Sequence, residues 1–236
     1  VNDEAQFGDL SAVLFQNSPF WAHWLKTPGL SIALMDEWES KIERIAEATI
    51  KENVTSVTGV PTWTLVLFKR ILEITGKKTI GEVWPALELY IHGGVSFTPY
   101  REQFQKLIGR DINYLEMYNA SEGFLAGQEK PGDNGLLLFT DHGIFYEFMP
   151  VSEYGKKEPQ TVGLQHVETG KNYAPIISTN GGLWRYLLGD TVRFTSLEPF
   201  RIKVSGRLKH YINAFGEEVI VDNTDKAIAI ACDKTN

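Results

Sequence analysis

Residues 118–123, with the sequence Tyr-Asn-Ala-Ser-Glu-Gly, form a polar motif directly after the strand-like run 112–117. The ring of Tyr118 offers a flat apolar surface on which a nucleobase can stack. The carboxylate of Glu122 is a hard oxygen ligand of the kind that Mg²⁺ binds. The alternative is a polar turn after a strand, in which Gly123 supplies unusual dihedral angles. By itself the motif leaves both a nucleotide site and an ordinary turn open.

Two later motifs carry charged groups that suit a nucleotide. The first, residues 181–190, ends in a Gly-Asp turn, where Asp190 can accept hydrogen bonds from both hydroxyls of a ribose. The alternative is an Asx-turn, in which Asp190 bonds its own backbone. The second, residues 206–209 (Gly-Arg-Leu-Lys), places Arg207 where its fork of donors could hold a phosphate or ribose. A solvated basic turn, or a hinge between domains, remains open for this second motif.

Composition excludes several classes of protein. The 236 residues carry a net charge of −7 and no basic cluster, which argues against a nucleic-acid surface. One cysteine, Cys232, rules out a disulfide framework and fits a reducing, cytoplasmic compartment. The five histidines lack metal-ligand spacing, and no apolar run is long enough for a bilayer. We expect neither a nucleic-acid nor a membrane partner.

Helical patterns dominate the first half of the chain. The aromatic cluster of Phe20, Trp21, Trp24 and Leu25 is expected to join the core. An amphipathic helix is predicted over 34–50, and a largely buried helix over 63–75, opened by Pro61 or Thr62 and ended by Gly76. Residues 58–62 between these helices are predicted to form a turn.

Residues 87–118 have the order strand, turn, helix, strand. The first strand, 87–91, ends in His92-Gly93-Gly94, and paired glycines let a backbone pass close to something flat. Thr98 is the candidate N-cap of a helix that Gly109 ends. Such a unit predicts two parallel strands with a right-handed crossover. Because ligands lie beyond the carboxyl ends of parallel strands, the glycine pair and the motif at 118–123 should face each other.

The pattern changes after Gly123 to short strands between turns. We expect a hairpin of 135–139 with 144–148, and a turn at 168–172 between 162–167 and 174–179. Further short strands are predicted at 183–186, 191–195 and 201–204, and a last helix over 223–231. The predicted fold class is therefore α/β, with a mixed, partly parallel sheet flanked by helices and a smaller antiparallel β unit.

Together the motifs resemble the adenylate-forming superfamily. The details, including the strand Phe-Tyr-Glu-Phe at 145–148, Gly-Leu-Trp-Arg-Tyr with Gly-Asp within 182–190, and Ile-Asn-Ala-Phe-Gly-Glu at 212–217, are similar to one branch. That branch is the auxin-conjugating acyl-acid amido synthetases of plants (the Gretchen Hagen family) and their bacterial relatives, which are the closer match. The resemblance covers residues 58–221.

The resemblance implies two half-reactions with ATP and Mg²⁺. A small carboxylic acid attacks the α-phosphate of ATP to give an acyl-adenylate, and an amine or amino acid then displaces AMP to form an amide. It assigns Tyr118 to stacking on adenine, Ser121 to the α-phosphate and Glu122 to Mg²⁺. Catalytic roles would fall to Ser121, Glu122 and two basic residues, Arg207 and Lys209.

The same resemblance assigns the remaining contacts of the nucleotide. Asp190 would hold the ribose, and Arg207 would approach the nucleotide. The backbone of Gly93 and Gly94 would lie along the adenine, and Lys209 would be the hinge of a mobile C-terminal domain. The implied organisation is an α/β part of the adenylating domain at 1–130, an antiparallel β subdomain at 131–208, and the hinge with the start of the C-terminal domain at 209–236.

Some features depart from the family pattern. The phosphate loop, rich in Ser, Thr and Gly, is missing, and 55–61 is its nearest candidate; Leu187 replaces an arginine. The chain is therefore expected to be a middle fragment that is inactive alone. Two alternatives remain open. One is a ligase that transfers the acyl group to coenzyme A, and the other is a non-catalytic nucleotide-binding or scaffold protein.

Overall fold

A computed structural model describes residues 14, 16–208, 212–214 and 217–219. The chain divides into two compact units at the bond between Gly123 and Phe124. Among its described residues, the first unit contains five α-helices and three strands. They are α1 (Leu30–Ala33), α2 (Trp38–Thr49), β1 (Ser56–Thr58), α3 (Pro61–Thr75), α4 (Ile80–Val83), β2 (Leu89–His92), α5 (Arg101–Ile108) and β3 (Asn113–Ala120), with 3-10 helices at Phe20–Leu25 and Thr98–Tyr100.

The first unit has a parallel sheet in the order β1-β2-β3. Tyr90 of β2 lies between Val57 and Tyr114, which fixes the register of all three strands. The helix α3 connects β1 to β2, and α5 connects β2 to β3. The predicted pair of parallel strands over 87–118 is confirmed. The strand β1 was not predicted: its three residues had been assigned in part to a turn.

Local signals set the ends of the long helices. The side chain of Glu37 accepts hydrogen bonds from the backbone N–H groups of Glu39 and Ser40, at 2.9 and 2.6 Å, and so caps α2. Pro61 occupies the first position of α3, where no N–H is needed, and the left-handed Gly76 ends it, as predicted. Thr98, predicted as an N-cap, instead begins a 3-10 turn and makes no capping bond.

A core of aromatic and aliphatic side chains joins this sheet to its helices. Phe68 of α3 and Phe104 of α5 are fully buried, with ring centroids 5.7 Å apart, and Tyr90 stacks on Phe104 at 4.7 Å. The buried indole of Trp84 donates a hydrogen bond of 2.9 Å to the carbonyl of Thr49, at the end of α2. This bond satisfies a polar group that burial would otherwise leave without a partner.

The aromatic cluster near the start of the chain is not part of the core. Phe20, Trp21, Trp24 and Leu25 are 80, 58, 88 and 80% exposed, respectively. They belong to a six-residue 3-10 helix, of which only Ala22 is buried. The prediction failed because spacing shows which residues share a face but not whether another segment covers it.

The strands of the second unit are β4 (Gly123–Gly127), β5 (Leu136–Leu138), β6 (Ile144–Pro150), β7 (Val162–Gly163), β8 (Asn172–Thr179), β9 (Tyr186–Leu187), β10 (Asp190–Leu197), β11 (Phe200–Arg207), β12 (Ile212–Ala214) and β13 (Glu217–Val219). They form an antiparallel sheet in the order β4-β5-β11-β10-β8-β6-β7, with β9 paired to β8. A separate two-stranded ladder joins β12 to β13. The core of the second unit includes Phe148, whose ring packs edge-on against Phe194 at 5.0 Å.

Strand pairing in the second unit corrects one prediction. The strands β5 and β6, expected to form a hairpin, pair instead with β4 and β11 and with β7 and β8, respectively. The strand β7 pairs with β6. Turn residues identify where the chain reverses, but long-range burial decides which strands become neighbours. The helix predicted over 223–231 lies outside the described residues.

Within the part of the chain that the structure describes, no helix combines the length and apolar character needed to cross a membrane.

Candidate functional site

The carboxyl ends of β1, β2 and β3 meet at one edge of the parallel sheet in the first unit. The backbone N–H of Gly59 donates to the carbonyl of Ile91 at 3.0 Å, so the loop after β1 stays beside β2. A side chain at Gly94 (φ +81°) would meet Val60 at 3.5 Å. The loops after the first two strands are therefore in close contact, at the position where parallel sheets bind ligands.

Gly93 brings the loop after β2 against β3. A Cβ atom at this position would lie 2.4 Å from the carbonyl oxygen of Met117 and 3.5 Å from Oδ1 of Asn119. Only a residue without a side chain allows the two backbones to approach so closely. The expectation that the glycine pair and the motif at 118–123 lie close together is confirmed.

The motif itself begins inside β3, because the strand extends to Ala120 rather than ending at Met117. Tyr118 is 8% exposed, so a small part of its surface is accessible. Ser121 is exposed and Glu122 is half-buried, in the turn that follows. Glu122 makes no hydrogen bond or ion pair with any described residue. Its carboxylate oxygens are therefore available to a ligand or metal ion.

Tyr90 was not predicted as a site residue, but its side chain supports the loop at the carboxyl end of β1. Its hydroxyl donates to the carbonyl oxygen of Gly59 at 2.8 Å and lies 3.3 Å from the hydroxyl of Thr64. Thr64 in turn donates to the carbonyl of Val60 at 3.1 Å. Burial raises the pKa of Tyr90 to about 12, so the phenol remains a donor at neutral pH. These bonds hold the Gly59-Val60 loop onto β2.

His92 occupies the last position of β2 and is 5% exposed. Its imidazole stacks on Phe97 with ring centroids 4.1 Å apart, and Nδ1 makes no hydrogen bond with a described residue. Burial lowers the pKa of His92 to about 4, and the positive charge of Arg101 acts in the same direction. The ring is therefore neutral at physiological pH.

The lowered pKa of His92 predicts that stability falls in acid. Above about pH 6.5 the ring is neutral in both states; between pH 6.5 and 4 the unfolded chain binds a proton that the folded chain does not. The free energy of unfolding of the wild type should fall between pH 7 and pH 4, and in His92→Gln this fall should be smaller by about 2 kcal/mol. The figure allows for residual solvation of the ring.

Urea unfolding of wild type and His92→Gln at a series of pH values measures this difference. The same substitution at the exposed His142, in the second unit, provides the control for replacing a histidine by glutamine. Parallel curves for wild type and His92→Gln would contradict the assignment.

Asp190 and Arg207 form an ion pair in the second unit. Nε of Arg207 donates to Oδ1 of Asp190 at 2.8 Å. The two residues are register partners, at the start of β10 and the end of β11. The N–H of Leu208 donates to the carbonyl of Gly189 (φ +80°) at 2.9 Å, which fixes the turn before Asp190. Two residues that the sequence marked separately are thus brought together.

The two members of this pair differ in exposure. The side chain of Asp190 is 13% exposed and that of Arg207 is 64% exposed. The carboxylate is therefore held in place, while much of the guanidinium remains open to a ligand. A fixed acceptor beside an accessible fork of donors suits the hydroxyl groups and phosphate of a nucleotide. An isolated Asx-turn would not need the arginine.

The candidate residues are distributed over both units. Gly93, Gly94, Tyr118, Ser121 and Glu122 belong to the first. Asp190 and Arg207 belong to the second, and Lys209 lies outside the described residues. Their convergence on one ligand stays a prediction. No cluster of three or more His, Cys, Asp or Glu side chains that could hold a metal ion occurs among the described residues.

Comparison with known proteins accounts for both units. Residues 1–112 match the GH3 family N-terminal domain, and residues 137–207 match the GH3 family central domain. The chain belongs to the GH3 family. This GH3 chain is 28% identical over 165 residues to the indole-3-acetic acid-amido synthetase GH3.3 of Arabidopsis thaliana, covering 64% of the chain and 27% of that protein.

Other relatives agree with this assignment. The jasmonoyl-L-amino acid synthetase JAR4 of Nicotiana attenuata is 31% identical over 121 residues, covering 48% of the GH3 chain and 21% of that protein. The chain thus spans about a quarter of the length of the relatives it matches.

Solved structures show the same fold. The GH3.15 acyl acid amido synthetase matches with a TM-score of 0.51 and 20% identity, covering 89% of the GH3 chain and 39% of that protein. A 2-hydroxyisobutyryl-CoA ligase matches with a TM-score of 0.60 and 14% identity, covering 80% and 44%. The predicted fold class, α/β with a mixed, partly parallel sheet flanked by helices, is confirmed.

Proposed function

We propose that the protein to which this chain belongs is an ATP-dependent acyl-acid amido synthetase. It activates a carboxylic acid as its adenylate and transfers the acyl group to an amine, such as an amino acid. The observation that carries the proposal is the Asp190–Arg207 pair, formed in a chain whose two family matches are both to GH3 domains. The pair supplies the acceptor and donors that a ribose phosphate requires.

The proposed roles follow from the chemistry of each group. Asp190 accepts hydrogen bonds from the ribose, and Arg207 donates to the nucleotide. The exposed hydroxyl of Ser121 binds the α-phosphate, where negative charge increases as the acid attacks. The accessible part of Tyr118 contacts the adenine, and the backbone of Gly93 and Gly94 lies along it. Lys209 is proposed as the hinge between the two half-reactions.

Glu122 is the residue proposed to hold Mg²⁺. The ion is usually bound through one or two carboxylates together with substrate phosphates, so a single carboxylate with no partner among the described residues fits it. When bound, Mg²⁺ neutralises phosphate charge and polarises the phosphoryl group. The chain's own contribution is to place Glu122 in the turn after β3, adjacent in sequence to Ser121.

The acyl group is proposed to be apolar. Trp63, at the start of α3, is 50% exposed, and Val95, after the glycine pair, is 41% exposed. Both follow strands whose carboxyl ends meet at the candidate site. Apolar side chains at such a position suit a hydrophobic acid, since small-molecule sites are lined mainly by apolar and aromatic groups.

The test uses the full-length natural protein that contains this chain. It is incubated with ATP, Mg²⁺, amino acids and a panel of hydrophobic carboxylic acids, and pyrophosphate release is measured together with product mass. Release that depends on the acid, with an amide product, is the expected result, and Glu122→Ala should abolish it. A thioester formed with added coenzyme A would identify an acyl-CoA ligase instead. Nucleotide binding without pyrophosphate release would identify a non-catalytic relative.

A further inference from the structure

Arg185 has a backbone conformation that is unusual for a residue with a side chain. Its φ angle is +45°, and it is the one non-glycine residue with positive φ among the described residues. An arginine in this region is strained, and such strain persists only where the surroundings enforce it. The residue belongs to the motif at 181–190 but has no assigned role there.

Four contacts hold Arg185 in place. Its Nε and Nη2 atoms donate to the two carboxylate oxygens of Glu147, each at 2.9 Å, and Nη2 also donates to the hydroxyl of Thr161 at 3.2 Å. That hydroxyl donates to Glu147 at 3.0 Å. The backbone N–H of Arg185 donates to the hydroxyl of Ser178 at 3.0 Å. A two-point pair with a shared third partner fixes direction as well as distance.

These contacts lie at the start of the segment that leads to Asp190. Arg185 directly precedes β9, which is only two residues long and pairs with Ile176 and Ile177 of β8. Leu188, the residue that follows β9, donates its N–H to the carbonyl of Pro175 at 3.2 Å. The bond from the N–H of Leu208 to the carbonyl of Gly189 holds the other end of this segment, so the anchored Arg185 fixes the end at which residues 186–189 begin.

Stability alone does not explain the arrangement. The side chain of Arg185 is 54% exposed and that of Glu147 is 19% exposed, and an ion pair with one solvated partner contributes only modestly to stability. Because the residue is strained and its ion pair stabilises the fold only weakly, we expect the contacts to matter for where Arg185 lies rather than for the free energy of unfolding.

We propose that the Glu147–Arg185 pair is a positioning device that fixes residues 185–190 and so places Asp190 for the nucleotide. The proposal rests on the proposed function, in which Asp190 contacts the ribose. It assigns Arg185 no contact with the substrate.

The test compares three variants. Arg185→Gly removes both the strain and the pair, Arg185→Lys keeps the charge but loses the two-point geometry, and Lys156→Ala removes an exposed ion pair of the same unit elsewhere. In the full-length natural protein, Arg185→Gly should raise the KM for ATP about ten-fold, with a smaller rise for Arg185→Lys. The melting temperature of Arg185→Gly should stay within about 2 °C of that of the wild type, since glycine relieves the strained φ angle. Lys156→Ala should change neither quantity.

A second measurement on the chain itself is independent of catalysis. In Arg185→Gly, hydrogen exchange at the amide of Leu188 should accelerate at least about ten-fold, while that of Val192, inside β10, stays unchanged. Unchanged exchange at Leu188, or a KM within two-fold of wild type, would overturn the proposal. A large fall in melting temperature with a parallel loss of kcat would show a structural role instead. A wild-type protein that releases no pyrophosphate would refute the proposed function, whereas the exchange result would still decide the positioning role.

Discussion

Replacement of Asp190 by alanine is expected to lower acid-dependent pyrophosphate release at least about 100-fold in the full-length natural protein that contains this chain. The carboxylate is 13% exposed and is bound to Nε of Arg207 at 2.8 Å. Its loss removes the acceptor for the ribose hydroxyls and frees Arg207 to move. A site built to accept hydrogen bonds discriminates strongly, because unpaired polar groups are costly once water is excluded.

The expected change in stability is small by comparison, about 1 kcal/mol, because most of the Arg207 side chain can be solvated. This difference separates a functional loss from unfolding. Urea unfolding and pyrophosphate release should be measured on the same preparations.

Asp133 supplies the matched control for this substitution. It also pairs with an arginine of β11, Arg201, at 3.5 Å, in the same unit but outside the proposed site. Asp133→Ala should keep release within about three-fold of wild type, because this pair lies outside the proposed site. Asp190→Ala with activity similar to that of Asp133→Ala would contradict the ribose assignment.

Replacement of Gly93 by alanine should have the largest effect on stability. The added Cβ would lie 2.4 Å from the carbonyl oxygen of Met117, a backbone atom of β3. That oxygen cannot move away without disturbing the parallel pairing of His92 with Glu116. We expect a loss of about 3 kcal/mol in the free energy of unfolding of the first unit, since overpacking is relieved only by backbone shifts.

The control for Gly93→Ala is another glycine of the same unit. Gly29, where an added Cβ meets nothing within 4 Å, should lose less than about 1 kcal/mol on replacement by alanine. Urea unfolding of both variants measures the difference. Equal losses at the two positions would mean that the loop after β2 does not approach β3 as closely as described.

Much of the first unit could be predicted because its signals are local. Pro61 and Gly76 define the ends of α3, and Gly109 ends α5. The burial of α3 was predicted less well, because Val66 and Ile74 are exposed in a helix expected to be largely buried. Two strands separated by a helix of this length allow few arrangements, so the parallel pair followed from the order of elements. The contact between Gly93 and β3 then followed from that topology.

Signals of the second unit were harder to interpret. Residues 140–143 were correctly seen as a break between strands, but β5 and β6 proved to have different neighbours. In an antiparallel sheet, pairing depends on burial contributed by segments far along the chain, which a turn does not encode. The prediction that Trp24 lies in the core was wrong for the same reason, because burial depends on whether another segment covers the side chain.

The sequence by itself determined the types of chemical group present. It identified the aromatic ring of Tyr118, the carboxylates of Glu122 and Asp190 and the guanidinium of Arg207, because side-chain chemistry does not depend on the fold. It also determined the α/β class, since helical and strand periodicities are local properties. Only the tertiary structure decided that Asp190 binds Arg207, that Tyr90 supports Gly59, and that Glu147 holds the strained Arg185. Those contacts depend on strand register and long-range pairing, which arise when the whole unit packs.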